Sequence, residues 1–474
     1  MKFKPQQLQK TNKGLVWHYL KCFCFYSFIF LSLSFSKFPK FIRVNFGPVP
    51  LEQLIFNLSI DVGLNTPMEL INKALEQFIY KPLFITFLCF LVLKFIKHPK
   101  QKYLRKFFIL LAFFLLCRGA YKSYNDLSIA SFFEKDSTHH DWFLEYYHPP
   151  NILKSSRNTN LVLLYLESME SRYINKDSKL AKYASQGVTA NQFPALPGTQ
   201  WTFAAMLSSQ CSVPLMPIGL MQHSSGTDNP LNNGICLGDI LKSNNYHTVY
   251  LTGVSEHFAG TGQFYTQHGF REVIGLDQVT REHNEFTYPQ DWWGIYDSDL
   301  YSIAQTKLLE ISKNPPFAFV FSTIDTHTPT GIYSPWCAKN HFSNDLKGVY
   351  DCSIAQTGLF IEWFEQQSFA KNTILVVMGD HPFMGDGPPT TTQNRDVFFM
   401  LKSPSQKSKR IDITHFDIAP IILEEMGFEL ESGRMGLGQN VNDGTGFLLK
   451  QNNIKTISKI MRHPSKSYLK LWIK

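Results

Sequence analysis

Charge is scarce in this chain: only 18% of its 474 residues are Asp, Glu, Lys or Arg, whereas 15% are aromatic, 41 of them Phe. A chain short of charge and rich in rings is neither intrinsically disordered nor collagen-like. No internal repeat and no low-complexity tract interrupts it, and its 474 residues allow roughly two to three domains. Acidic residues are nearly missing from the first quarter. Residues 1–125 hold 18 Lys and Arg against 4 Asp and Glu, a balance of +14; the rest hold 28 against 34, a balance of −6. The formal +8 of the whole therefore belongs to the N-terminal quarter. A nucleic-acid-binding domain carries its positive charge on a folded face that tracks phosphates. Here the charge flanks apolar runs, which argues against nucleic acid as a partner.

Three of those runs have the roughly 20 residues that a membrane-spanning helix needs. They cover about residues 15–35, 78–96 and 103–121, and Lys81 and Lys94 stand near the ends of the second. A cleaved signal peptide would account for the first run alone. Lys2, Lys4, Lys10 and Lys13 precede the first span, and Lys97, Lys100, Lys102, Arg105 and Lys106 separate the second from the third. With three crossings both groups lie on one side, and the positive-inside rule makes it the cytoplasm, although Lys37, Lys40 and Arg43 pull the other way. The sequence thus predicts a transmembrane region over 1–125, a linker over 126–158 and an exported domain over 159–474. The segment Leu51-Glu52-Gln53-Leu54 lies between the first two spans, a place for an interfacial helix.

Cysteine is sparse too. Cys22, Cys24, Cys89 and Cys117 lie in or beside the apolar runs, where cysteine behaves as a small hydrophobe. Only Cys211, Cys236, Cys337 and Cys352 fall in the exported part, and four cysteines allow three pairings. The short loops favour Cys211–Cys236 and Cys337–Cys352, bridges that form only outside a reducing cytosol; four free buried thiols are the alternative.

Beyond about residue 158 the pattern alternates between strand and helix. Residues 161–166, 247–251, 317–322, 374–378 and 397–401 are continuous apolar runs, which suit strands buried on both faces. Helices are expected over 201–209, 300–311, 353–367 and 417–425. The fold class is α/β, a mostly parallel sheet flanked by helices. Ligands in such sheets bind beyond the carboxyl ends of the strands. There the first run releases Glu167, the fourth Asp380 and His381, and the third Asp325 followed by His327. Any one of these is an ordinary turn signal; three at one edge predict a divalent metal site, and mixed oxygen and nitrogen ligands suit Mn, Mg or Zn. A nucleophile is expected at Pro197-Gly198-Thr199-Gln200-Trp201-Thr202, just before a helix. A hydroxyl there is commonly an N-cap, yet it also faces an incoming anion at the positive helix end. Position alone leaves Thr199, Thr202 and the cap open.

The order Leu-Glu-Ser, Pro-Gly-Thr, His-Thr-Pro and Gly-Asp-His resembles the alkaline-phosphatase/sulfatase superfamily over about 160–438. Within it the chain is similar to the membrane-anchored branch of lipoteichoic-acid synthases, lipid A phosphoethanolamine transferases and phosphoglycerol transferases of osmoregulated periplasmic glucans. LYLESMES, LPGTQWTFAAMLSSQCSVPL, GQFYTQHGF and CLGDIL look most like the last of these. The resemblance implies metal ligands at Glu167, Thr199, Asp380 and His381, with Thr199 the nucleophile, His327 a phosphate or substrate contact, and Asp417 a helix cap. It implies phosphatidylglycerol as lipid donor, a periplasmic glucan as acceptor, Mn or Mg (or Zn) as cofactor, and residence in a bacterial inner membrane. The sequence lacks the C/S-x-P-x-R context of formylglycine sulfatases, which argues against sulfate-ester hydrolysis. Around Glu256-His257-Phe258 the glycerol-phosphate contacts of lipoteichoic-acid synthases do not line up. Competing readings are phosphoethanolamine transfer to lipid A or another envelope glycan, and a catalytically silent glucan-binding scaffold.

Overall fold

The structure is a computed structural model. It describes residues 6–46, 68–127, 141–155, 159–216, 230–282, 292–385 and 387–472 except 391, 405–407 and 464, with residues 49, 51, 54, 129 and 289 besides. Residues 128, 130–140 and 156–158 of the expected linker, and 52 and 53 of the Leu51–Leu54 segment, lie outside the described residues. Contacts divide the chain into two compact units, one within 1–50 and 67–130 and the other within 51–66 and 131–474.

The first unit is helical. α1 (Gln6–Phe46) runs on through Pro39 well past the expected end of the first span. α2 (Met68–Leu75) passes through a π-helical turn, Glu76–Tyr80, into α3 (Lys81–Phe95), and a Glu76–Lys81 ion pair of 2.7 Å bridges the junction. α4 (His98–Asp126) completes the unit. Val16–Phe46 and Leu70–Phe95 are long and apolar enough to cross a membrane. The expected third span lies inside α4, where Phe107, Leu110, Phe113 and Phe114 are exposed. Large apolar side chains facing outward along several turns match a lipid surround better than water.

The second unit is built on one eight-stranded sheet. Its strands are β1 (Asn160–Leu166), β2 (Val188–Gln192), β3 (His247–Thr252), β4 (Glu272–Ile274), β5 (Phe317–Ser322), β6 (Thr373–Gly379), β7 (Phe399–Lys402) and β8 (Lys409–Asp412). They lie in the order β4-β3-β5-β1-β6-β7-β2-β8. Of these only β7 runs antiparallel to its neighbours, which makes the sheet mostly parallel.

The core explains the apolar runs. Every residue of β1 is buried, and alternate side chains enter different clusters: Leu161, Leu163 and Tyr165 on one face, Val162, Leu164 and Leu166 on the other. Helices α5 (Thr202–Cys211) and, near the C-terminus, Ile418–Glu425 cover the first face. α6 (Asp297–Ile311) and α8 (Leu346–Glu365) cover the second, with the short α7 (Pro335–Lys339) between them in sequence. Full burial of each such Leu or Val contributes about 2 kcal/mol. Two buried disulfides close loops, Cys211–Cys236 and Cys337–Cys352, the expected pairing. Cys22, Cys24, Cys89 and Cys117 are free.

Candidate active site

Two central parallel strands bring the first acids together. Leu166 of β1 pairs with Gly379 of β6, so the next residues, Glu167 and Asp380, leave the sheet side by side. The approach is too close for a side chain at 379: a Cβ there would lie 2.0 Å from the Met169 carbonyl oxygen. Ser168 turns the chain sharply, with φ of +54°, in the left-handed region that non-glycine residues rarely occupy. Its backbone N–H thereby donates to Asp380 Oδ1 at 2.7 Å, and the His381 N–H donates to the same oxygen at 2.7 Å. Asp380 keeps Oδ2 for the centre.

The remaining donors converge on that oxygen. His381 Nε2 lies 3.5 Å from Asp380 Oδ2 and 3.6 Å from Glu167 Oε1. His381 Nδ1 donates its proton to the Pro382 carbonyl at 2.8 Å, which leaves a lone pair on Nε2. Ligand atoms of Glu167, Asp380 and His381 all lie within 4.8 Å of one another, and all three residues are buried. Burial, and the charge of Asp380 beside it, push the Glu167 carboxyl well above its ordinary range. Among the described residues no Lys or Arg pairs with either acid; the nearby arginines, Arg172 and Arg395, are taken by Glu170. Two carboxylates and an imidazole lone pair facing one another without a cation repel, whereas a divalent ion satisfies all three. The donor set fits the expected metal.

The structure places the two threonines differently. The Thr199 hydroxyl donates to the Leu196 carbonyl and accepts from the Leu196 N–H, both at 3.0 Å, and its side chain is fully buried in the turn before α5. That turn depends on Gly198, at φ of +77°, where a Cβ would come within 2.7 Å of Pro214. Thr199 is thus part of the turn and not of the ligand cluster. One helical turn on, Thr202 opens α5, and its Oγ1 lies 3.3 Å from both Glu167 Oε2 and His381 Nε2. Of the two threonines, Thr202 is the one whose hydroxyl stands beside Glu167 and His381, at the positive end of a ten-residue helix.

His327 is not one of the three clustered ligands, but it stands near enough to His381 to interact with it electrostatically. It is packed against the Trp293 ring, 4.7 Å between centroids, and more loosely against Phe258. Its Nδ1 donates to the Thr328 carbonyl at 2.8 Å, and burial lowers its pKa to about 4, so at neutral pH it is uncharged with a bare Nε2. Asp417 does not cap the helix Ile418–Glu425 with its side chain, as expected of it, but closes a capping box on the preceding turn, accepting from the Thr414 N–H and hydroxyl, both at 2.8 Å.

Several supporting residues are ones that sequence reasoning missed. Thr326 donates its hydroxyl to the Glu167 carbonyl at 2.5 Å, and His415 Nε2 donates to the Asp380 carbonyl at 2.6 Å. Buried Glu170 accepts from Arg395 Nη2 at 2.6 Å and the Phe383 N–H at 3.0 Å, and forms an ion pair with Arg172, whose Nε lies 2.7 Å from Oε2. Arg395 also donates to the Gly385 carbonyl, so the pair holds the loop that follows His381. The one visible signal was the second acid of LYLESMES. A second cluster, Cys236, Asp239 and His268, is structural: the cysteine is in a disulfide, and His268 donates or accepts at both nitrogens within the protein.

A family profile described as sulfatase matches residues 159–428, more than half of the chain. Phosphoglycerol transferase I of Citrobacter koseri is 29% identical over 319 residues, which cover 64% of this chain and 41% of that protein. The protein of the same name from Escherichia fergusonii is 29% identical over 321 residues, covering 64% and 42%. The chain thus spans about two fifths of the length of the curated relatives it matches. Among solved structures, a protein in the alkaline phosphatase superfamily from Vibrio parahaemolyticus superposes with a TM-score of 0.51 at 18% identity, over 66% of this chain and 76% of that one. That likeness shows the fold, an alkaline-phosphatase-like α/β sheet. With the profile match covering the whole of that sheet from β1 to β8, the chain belongs to the sulfatase family.

Proposed function

We propose that this chain is a membrane-anchored transferase that moves phosphoglycerol from phosphatidylglycerol to a periplasmic glucan through a covalent phosphothreonine. The observation that carries the reading is the Thr202 hydroxyl, 3.3 Å from both a carboxylate and an imidazole of the candidate metal centre. The names of the Citrobacter and Escherichia relatives support phosphoglycerol as the transferred group.

Glu167, Thr202, Asp380 and His381 would hold one divalent cation, Mn or Mg by preference and Zn otherwise. Such an ion lowers the pKa of a hydroxyl and offsets phosphoryl charge. Thr202 Oγ attacks phosphorus, the bond to the diacylglycerol oxygen breaks, and diacylglycerol leaves with a proton. The amides at the start of α5 face the charge that develops on the phosphoryl oxygens. A glucan hydroxyl then attacks the phosphothreonine and returns Thr202. Neutral His327, with its Nε2 bare, is suited to accept the hydrogen of that incoming hydroxyl. The membrane region over 1–125, with three spans, keeps the domain over 159–474 beside its lipid on the periplasmic side of the inner membrane, 126–158 serving as linker; tethering raises the effective donor concentration.

Assay of the purified protein with labelled phosphatidylglycerol and phosphatidylethanolamine tests the reading. Release of diacylglycerol from phosphatidylglycerol, dependent on added metal, is expected. Consumption of phosphatidylethanolamine instead would move the assignment to phosphoethanolamine transfer onto lipid A or another envelope glycan.

A further inference from the structure

A cavity of about 470 Å³ opens between α6, α7 and α8, and none of the three metal-site residues lines it. Its volume falls within the range of small-molecule sites. α6 and α8 each lead into a parallel strand of the sheet, so their N-terminal ends stand at the edge where Glu167 and Asp380 emerge. The cavity is also coupled to the loop of His327: Asp297, at the start of α6, accepts from the N–H groups of Ile324 and Asp325 at 2.7 and 3.2 Å.

The lining has a distinct chemistry. Tyr296 and Trp336 contribute flat, amphipathic rings, and Asp299, Gln305, Lys339 and Gln356 contribute hydrogen-bonding groups. One acid and one base leave no net charge to select an ion: an anion would meet Asp299 and a cation Lys339. Gln356 is only 4% exposed; its Nε2 donates to Cys352 Sγ at 3.2 Å, while its Oε1 is buried with no hydrogen-bond partner among the described residues. A buried acceptor without a donor is unfavourable until a ligand supplies one. The Cys337–Cys352 bridge ties α7 to α8 and so fixes Trp336 relative to Gln356, the rigidity that lets a site bind without an ordering cost.

We infer that this cavity is a carbohydrate-binding subsite, taking a neutral glucose-type oligosaccharide whose apolar ring faces stack on Trp336 and Tyr296 and whose hydroxyls reach Gln356 Oε1, Asp299 and Lys339. Aromatic rings and mixed donors and acceptors without net charge match a polyhydroxylated, uncharged ligand. An aliphatic chain would leave the polar groups unpaired, and a phosphate would face Asp299. That the bound glycan is the acceptor rests on the proposed transfer; the binding itself does not.

The test is calorimetric titration of the full chain, held in a detergent without a sugar headgroup, with maltohexaose and laminarihexaose, and with tetraethylene glycol as a polyether control. Saturable binding of at least one glucose oligomer and none of the polyether is expected. Trp336→Ala should weaken it by about tenfold, the loss typical of a central aromatic anchor. Ser302→Trp, on the exposed side of α6 where it fills the cavity without touching the core, should abolish it. Failure of both oligomers to bind, or equal binding by both variants and the unsubstituted protein, would overturn the inference. A protein that binds glucose oligomers yet cleaves no phosphatidylglycerol would uphold the subsite and refute the transfer.

Discussion

Leu166 and Gly379 face each other across two adjacent parallel strands, and the residue after each is an acid that enters the metal-site cluster. The pairing register of β1 and β6 is therefore also the register of the site. Gly379→Ala sets a methyl against the Met169 carbonyl at 2.0 Å, and the strands must part. Overpacking of this kind costs about 1–3 kcal/mol. The protein should remain folded but lose metal affinity, read by metal titration alongside thermal unfolding. Unchanged affinity would show that the strand ends do not set the ligand spacing.

The loop after His381 depends on a buried acid. Glu170 has no exposed side-chain surface and holds Arg172 and Arg395 together with the Phe383 N–H. Glu170→Ala leaves two guanidinium groups without their partner, and breaking a buried pair costs about 3–5 kcal/mol, toward the lower end here because Arg395 is partly exposed. Urea denaturation should show the loss. Arg395→Lys, which keeps the charge but not the fork that also reaches Gly385, should lose less stability but still weaken metal binding.

A pH dependence follows from a buried acid outside the metal cluster. Burial raises Asp297 to about 7, against an unfolded value of about 3.9. Its partner Asp325 is likewise pushed well above the ordinary range by burial and by Asp297. A carboxyl whose folded pKa is raised binds more protons when native, so stability falls as pH rises from about 4 toward 7 and levels off above. Asp297→Asn retains an oxygen for the Ile324 N–H and removes the titration. Denaturation midpoints from pH 4 to pH 8 should decline less in this variant; equal slopes would place the titration elsewhere.

How much of this the sequence carried varies by element. β1, β3, β5 and β6 were legible because they are buried on both faces and read as unbroken apolar runs. β2, β4 and β8 were not, since Val188–Gln192, Glu272–Ile274 and Lys409–Asp412 lie toward the sheet margins and carry polar residues. The direction of β7 is a tertiary fact that its apolar pattern cannot encode. α8 starts at Leu346, seven residues before the expected 353, because Asp345 caps it there, accepting from the Gly348 N–H. Glu167, Asp380 and His381 could be named because each follows an apolar strand. Thr202 could not be preferred to Thr199: the choice turns on which hydroxyl the turn at Gly198 consumes. The Glu170–Arg395 contact joins residues 225 apart, beyond any local signal.

Thr202 bears the central claim, and intact mass of the purified protein after incubation with phosphatidylglycerol and metal tests it most directly. The account predicts a phosphoglyceryl adduct that survives Thr199→Ser, is absent from Thr202→Ala, and is lost when the metal is chelated. An adduct that persists in Thr202→Ala, or one that maps by fragmentation to another residue, would contradict it.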